Sequence, residues 1–224
     1  MDGTRIVLVR HGESRAQERR IVGGHVGCEG LSDLGRRQAA ALRDRLAATG
    51  ELGTVTAVYT SLMPRAVETA GILAPALGAP DAVQDCDFCE HHPGEGDGLT
   101  YDEFDRRWPV SLPWDPDARR DPGGETWTEM AARVARGLDG VVARHPGNTV
   151  VVVCHGGVVV HSMLRWLGLP SVTGEDGDAG RVWLDPVNTS LTEWRFGPSP
   201  LPFHAGALGV SLVRFNDHAH LSSV

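Results

Sequence analysis

The run Ile6-Val7-Leu8-Val9, followed at once by Arg10-His11-Gly12-Glu13-Ser14, constrains this chain more than any other segment. Consecutive apolar residues without polar alternation read as a strand buried on both faces, the pattern of a parallel sheet covered by helices. An arginine and a histidine at the carboxyl end of such a strand stand where open α/β sheets bind their ligands. An imidazole there can act as base, ligand or nucleophile, so the string needs partners before it specifies a reaction.

The rest of the chain alternates in the same way. Ser32 caps a predicted helix that runs to about Thr49 and ends at Gly50, and Val55 to Tyr59 reads as the second strand. A helix with proline in its first turn follows from Pro64 to Leu77. Farther on come a long helix from Glu125 to about His145, a strand from Thr149 to Val153 and a short helix from Val158 to Leu167. Strand-like runs at Ser190–Phe196 and Val210–Phe215 complete the pattern. The alternation predicts an α/β fold: a three-layer αβα sandwich around a mostly parallel central sheet. With no repeat and no linker, residues 1–224 are expected to form a single domain. A loop and helical insertion at about 92–124, carrying Tyr101, Phe104, Trp108 and Trp114, is expected to cover the site.

Composition narrows the function classes. A formal net charge of -8 argues against a general nucleic-acid surface. All 21 basic residues are arginine, which excludes a Schiff-base or P-loop lysine. No apolar stretch approaches a membrane span, and the first strand begins within a few residues, so neither a signal peptide nor a membrane partner is expected. The four cysteines at 28, 86, 89 and 154 suggest no disulfide framework and read as reduced thiols in a cytoplasm.

His155 follows an apolar strand just as His11 does. If those strands are neighbours, both imidazoles reach one sheet edge. Gly156-Gly157 then brings the backbone and a helix N-terminus toward a bound anion. Arg10 stands beside the first histidine, and Arg65 opens the helix after the second strand. Two guanidiniums, two imidazoles and a helix N-terminus make a pocket for a phosphoryl group.

At this point the residues resemble the histidine phosphatase superfamily, in its phosphoglycerate-mutase-like branch. Arg10-His11-Gly12-Glu13-Ser14 is similar to its signature. Further segments resemble it in the expected order: Gly24-His25, Leu31-Ser32-x-x-Gly35-x-x-Gln38-Ala39, Ser61-Leu62-x-x-Arg65-Ala66-x-Glu68-Thr69-Ala70, Gly123-Gly124-Glu125, His155-Gly156-Gly157 and Asn188-Thr189-Ser190-Leu191-Thr192. They cover roughly residues 5–196.

The resemblance implies phosphoryl transfer through a phosphohistidine on His11, with Arg10, Arg65 and His155 holding the equatorial oxygens and no metal or other cofactor. Glu90 is the expected proton donor. The run Glu90-His91-His92-Pro93-Gly94-Glu95-Gly96-Asp97-Gly98 aligns on the family's Glu-x-His-x-Gly-x-Trp-Glu-Gly pattern. Gly96 replaces the tryptophan and Asp97 the second glutamate, which leaves the acid in place but alters the adjoining wall; Glu95 is the fallback donor. Ser14, Gln17, Gly24 and Gly156 are further candidates for phosphate contact, Gln17 standing where the family often has asparagine. His25 and Ser61 are candidates for the pocket wall, and His161 reads as a core histidine.

Cys86-x-x-Cys89-x-His91-His92 has a rival reading as a zinc cluster. Adjacent histidines fit one tetrahedral site poorly, and no second ligand pair stands at zinc-finger spacing, so no metal is expected.

The leading expectation is a metal-independent phosphatase acting on a small-molecule phosphomonoester. A phosphoglycerate-mutase-type transferase is the first alternative. The acid-loop region is compact and holds Asp87, Glu95, Asp97, Asp102, Glu103 and Asp105, a poor second-phosphate site. A catalytically silent phospho-ligand-binding protein is the second. Specificity is expected from residues 92–122 and from the loop at 198–209, and the tail strands leave a homodimer open.

Overall fold

The computed structural model describes residues 3–79, 81–111, 114–169, 184–199 and 207–224. Six strands form one sheet: β1 (Thr4–Arg10), β2 (Val55–Thr60), β3 (Val83–Gln84), β4 (Thr149–Cys154), β5 (Leu191–Pro198) and β6 (Leu208–Asp217). Their spatial order is β3-β2-β4-β1-β5-β6. The pairs β1–β4, β2–β4 and β2–β3 are parallel, while β5 and β6 add antiparallel strands at one side. The sheet is therefore mostly parallel, as the sequence implies. The loop at 198–209 lies largely outside the described residues.

Side chains on β1 and β4 alternate between two cores, as a period of two requires. Ile6, Leu8, Val150 and Val152 face a helical layer made by α5 (Trp127–Arg144) and α6 (Gly156–Leu167). Val7, Val9, Val151 and Val153 face the opposite layer, α2 (Asp33–Thr49) and α3 (Pro64–Leu77). Both faces of these strands are covered, so an unbroken apolar run is what each strand needs. Every one of these eight residues has 0% exposure, and each such burial contributes roughly 1.5–3 kcal/mol.

The helix ends follow local chemistry. The Ser32 hydroxyl accepts the Gly35 N–H at the start of α2, and Gly50 closes that helix in the left-handed region at φ +59. Pro64 opens α3 where a missing N–H costs nothing. Thr126 and Glu129 form a reciprocal capping box on α5. That helix begins two residues later than its sequence pattern suggests.

Two short helices have bounds that the sequence reading does not give. α1 (Arg15–Glu18) is a single turn after the signature, and α4 (Tyr101–Arg107) lies within the insertion. Seven residues framed by prolines carry too little periodicity to announce a helix. Thr100 caps it, and Phe104 is its buried anchor.

The C-terminal strand is tied back electrostatically. Arg45 of α2 bridges Glu51 and Asp217 at 2.7 and 2.6 Å, and Arg214 reaches Glu193 at 3.0 Å. Being networked and partly sheltered, these pairs hold more than isolated surface ion pairs do. Among the described residues no helix is long and apolar enough to cross a membrane.

Candidate active site

The register of the two central strands brings the histidines together. Arg10 of β1 pairs with Cys154 of β4, so His11 and His155 leave the sheet side by side. The His11 N–H donates to the Cys154 carbonyl at 2.9 Å, and the two rings stand 5.0 Å apart, edge to face. Both rings are buried, at 4% and 0% exposure.

Arg65, in the first turn of α3, is shared between them. Its Nε–H lies 3.1 Å from His11 Nε2 and 3.3 Å from His155 Nδ1, and its Nη1 donates to the Gly23 carbonyl at 2.6 Å. His11 Nδ1 is 2.6 Å from the Gly12 carbonyl, which requires the proton on Nδ1 and leaves the lone pair on Nε2. Burial, then the charges of Arg65 and Arg10, push the His11 ring well below the usual histidine range. His155 is pushed down by the same causes, with His11 itself contributing. Both rings are neutral near pH 7, the form a nucleophilic imidazole needs.

Arg10 completes the cationic wall. One nitrogen is engaged by the Pro186 carbonyl, and Asp185 lies 3.8 Å away. Its buried Nε has no partner among the described residues, a donor available to an anion. Glu90 faces this group from the segment before the insertion. Its carboxylate accepts the N–H of Gly157 at 3.1 Å and that of His91 at 3.1 Å. The first-turn N–H of Gly157 is thus taken by Glu90, a correction to the expectation that a substrate anion receives it.

Several candidates have structural duties that the sequence reading does not assign. Ser14 and Gln17 cap α1 reciprocally, the hydroxyl accepting the Gln17 N–H and the amide oxygen accepting the Ser14 N–H. Both still line the cavity. Gly24 is corrected: its N–H donates to Asp97 at 2.9 Å, and Gly23 lines the cavity in its place. Gly156 and His155 lie behind the cavity wall, with His155 reaching the site through Arg65. Ser61 holds His155, its Oγ 2.7 Å from Nε2. His161 is a core histidine, as expected, stacked 4.3 Å from Trp127.

Four residues of the quoted segments have positioning roles that the sequence reading does not assign. The Thr69 hydroxyl accepts the Gly12 N–H at 3.1 Å and donates to the Arg65 carbonyl one turn back, tying nucleophile loop to arginine helix. Its spacing of four from Arg65 is the signal that could have revealed it. Asn188 donates to the His11 carbonyl at 2.9 Å. Gly12 and Gly35 let the signature loop touch α2: a Cβ on Gly12 would lie 2.4 Å from the Gly35 carbonyl oxygen.

The two departures in the acid loop also have explanations. A Cβ on Gly96 would meet the Phe104 ring at 2.2 Å, so α4 occupies the space a side chain there would need. Asp97 accepts the N–H groups of Gly24, Val26 and Gly27 at 2.8–2.9 Å and fastens the loop that presents Gly23 to Arg65.

These groups open into a cavity of about 570 Å³. Arg10, His11, Arg65 and Glu90 form its floor, and the insertion lines it with Tyr101, Phe104, Trp114 and Arg120.

Comparison with known proteins agrees with this geometry. The model of the histidine phosphatase superfamily (branch 1) matches residues 6–198. The chain is 32% identical over 166 residues to the metal-independent phosphoserine phosphatase of Arabidopsis thaliana, covering 72% of this chain and 68% of that one. It is 33% identical over 212 residues to the glucosyl-3-phosphoglycerate phosphatase of Mycolicibacterium vanbaalenii, covering 85% and 92%. A solved mycobacterial glucosyl-3-phosphoglycerate phosphatase in complex with VO3 superposes with a TM-score of 0.71 at 28% identity, covering 95% of this chain and 98% of that one. Against some longer mycobacterial relatives, matched at 36% identity, the chain spans half their length.

Proposed function

The chain belongs to the histidine phosphatase superfamily (branch 1) and is a phosphomonoester hydrolase; from that premise we propose that His11 is its nucleophile and Glu90 its proton donor, in a transfer that uses no metal. The observation that carries the assignment is the single Arg65 Nε–H shared by His11 and His155. It holds two neutral imidazoles and a guanidinium together beside the cavity that receives the phosphoryl group.

In the free enzyme that N–H covers the Nε2 lone pair of His11. A phosphoryl oxygen offers Arg65 a charged acceptor, draws the N–H away and frees the lone pair for in-line attack. The His11–phosphorus bond forms as the bond to the leaving oxygen breaks, and Glu90 protonates that oxygen. Arg10 and Arg65 neutralise the equatorial oxygens, the task a metal performs elsewhere. Glu90, now ionised, then takes a proton from water attacking phosphorus, and His11 departs with inorganic phosphate formed.

The substrate is a small phosphomonoester whose organic part occupies the outer cavity. Tyr101, Phe104 and Trp114 supply flat apolar surface, and Arg120 lies over the Phe104 ring at 4.4 Å. Ring faces beside a guanidinium suit a polyhydroxylated or carboxylate-bearing metabolite. We place the enzyme in the cytoplasm, where reduced Cys28, Cys86, Cys89 and Cys154 are at home.

The test is inorganic phosphate release from aryl, sugar, amino-acid and glycerate phosphomonoesters, for the native enzyme beside His11→Ala. Release that falls at least about 10³-fold in the variant supports the assignment. Substantial residual turnover by His11→Ala overturns it.

A further inference from the structure

Beside the catalytic pocket, two loops bring two thiols and two imidazoles to one point. His25 comes from the loop after α1; Cys86, Cys89 and His92 come from the segment that carries Glu90. One donor atom from each lies within 4.8 Å of every other. Cys86 Sγ is 3.5 Å from His92 Nε2 and 3.8 Å from His25 Nε2, and the two sulfurs are 2.7 Å apart. None of the four lines the phosphate cavity.

We propose that this cluster is a tetrahedral Cys₂His₂ zinc site that clamps the loop of residues 23–27 to the segment of residues 86–92. The donor set is that of structural zinc: two soft thiolates, two imidazoles and four protein ligands without an open position. With Zn–S of ~2.3 Å and Zn–N of ~2.0 Å, such a site has S···N edges of ~3.5 Å and an S···S edge of ~3.8 Å. The two spacings from Cys86 Sγ, 3.5 and 3.8 Å, already stand close to that S···N value, and every donor atom lies within 4.8 Å of the others. The sulfurs need to part by ~1 Å, and two protons leave to solvent as both thiols become thiolates.

The surroundings favour a metal over a bare dithiol. A redox pair needs no imidazole, whereas here two rings from positions 67 residues apart in the chain both turn Nε2 toward the Cys86 sulfur. Arg133 fixes the turn between the cysteines, donating through Nη1 to the carbonyls of Cys86, Asp87 and Cys89 at 2.8–3.2 Å. The same guanidinium pairs with Glu125, whose Oε2 lies 3.9 Å from His92 Nδ1 on the far side of that ring. A carboxylate that takes the far N–H of a metal-binding histidine orients the ring and raises its basicity, and Glu125 stands within charge range of that nitrogen.

This arrangement also corrects the sequence argument against zinc. The adjacent histidines do not share the site, because His91 turns its Nε2 to the Glu125 carbonyl at 2.6 Å. The fourth ligand is His25, too far away in sequence for any spacing rule to find.

The clamp sits at a useful place. Gly23, two residues before His25, presents its carbonyl to Arg65, and Glu90 lies between Cys89 and His92. Zinc would hold both supports of the phosphate pocket without touching substrate, so the transfer itself stays metal-free.

The experiment is metal analysis of the full chain purified under reducing conditions, followed by replacement of the metal with Co²⁺. The expected result is one zinc per chain and a cobalt form with the strong visible absorption of a tetrahedral site and thiolate-to-metal charge transfer. Cys86→Ser, His25→Ala and His92→Ala should each lower metal affinity by at least about tenfold, while His91→Ala retains stoichiometric metal. Circular dichroism of each variant separates a lost ligand from a lost fold. A chain that takes up no stoichiometric Zn²⁺ or Co²⁺ after full reduction overturns the proposal. So does a His25→Ala or His92→Ala protein that binds like the native one. Because the readout is metal content and not phosphate release, this result stands apart from the His11 assignment.

Discussion

Glu90 and Gly157 meet at the N-terminus of α6, where the Gly157 N–H donates to Glu90 Oε2 at 3.1 Å. The contact depends on a missing side chain. A Cβ on Gly157 would stand 2.2 Å from Glu90 Oε1 and 2.6 Å from the Met130 methyl. Gly157→Ala is therefore expected to displace the carboxyl without removing it. Its kinetic signature should copy that of Glu90→Gln: a loss of about 10²–10⁴-fold on alkyl phosphates and a much smaller one on aryl phosphates, whose leaving groups need little protonation. The ratio of the two kcat/KM losses is the measurement. Equal losses on both substrate types would remove Glu90 from the acid role.

Asp97 acts on the site from a distance. Its carboxylate gathers three N–H groups of the loop whose Gly23 carbonyl accepts from Arg65. Asp97→Ala should weaken inorganic phosphate inhibition, raise KM and lower kcat together, because the loss falls on the placement of Arg65, which holds the phosphoryl group in both ground and transition states. It should also destabilise the fold by about 1–3 kcal/mol in urea unfolding, the cost of leaving sheltered donors unpaired. Asp97→Glu, the family's usual residue, should restore part of both. A variant with native KM would show that Arg65 holds its position unaided.

Ser61 fixes the proton on His155. Nδ1 of that ring accepts from Arg65, so Nε2 carries the hydrogen and donates to Ser61 Oγ at 2.7 Å. Ser61→Ala leaves a buried ring nitrogen unpaired and frees the ring to turn. A fall in kcat of roughly 10–100-fold with little change in KM is expected. Recovery in Ser61→Thr, which keeps a hydroxyl, would separate this role from simple packing.

What the sequence made legible follows from how locally each feature is specified. β1 and β4 could be read because burial on both faces demands unbroken apolar runs, and the His11–His155 pairing follows once those strands are neighbours. Arg65 could be read because it occupies a first helical turn after a strand. Gly24 was misassigned because a loop glycine gives no hint of where its N–H points, and here Asp97, distant in sequence, claims it. Cys86, Cys89 and His92 could be read as one candidate cluster, but His25 was hidden for the same reason as Asp97: it reaches Cys86 only through the path of its loop. The helical insertion could be expected but α4 could not be bounded, because seven residues with one buried anchor, Phe104, carry little periodic pattern.

The buried histidines predict how the fold responds to acid. Burial pushes His161 down to about 4, and His11 and His155 well below the usual range. The unfolded chain takes up protons near pH 6.5, whereas the folded chain refuses them until near pH 4. Stability is thus full above about pH 6.5 and is lost as pH falls, each such group contributing a slope of about 1.4 kcal/mol per pH unit. His161 isolates the effect, because its ring lies against Trp127 and its buried Nε2 has no partner among the described residues. His161→Phe removes the titrating group and keeps an aromatic contact. Relative to its difference at pH 7, the variant should gain about 2 kcal/mol over the native protein at pH 5. Urea unfolding at pH 7, 6 and 5 measures this directly. A difference that stays constant across that range would mean His161 is protonated as readily in the folded state as in the unfolded one, with Glu90 and Glu125 holding its charge.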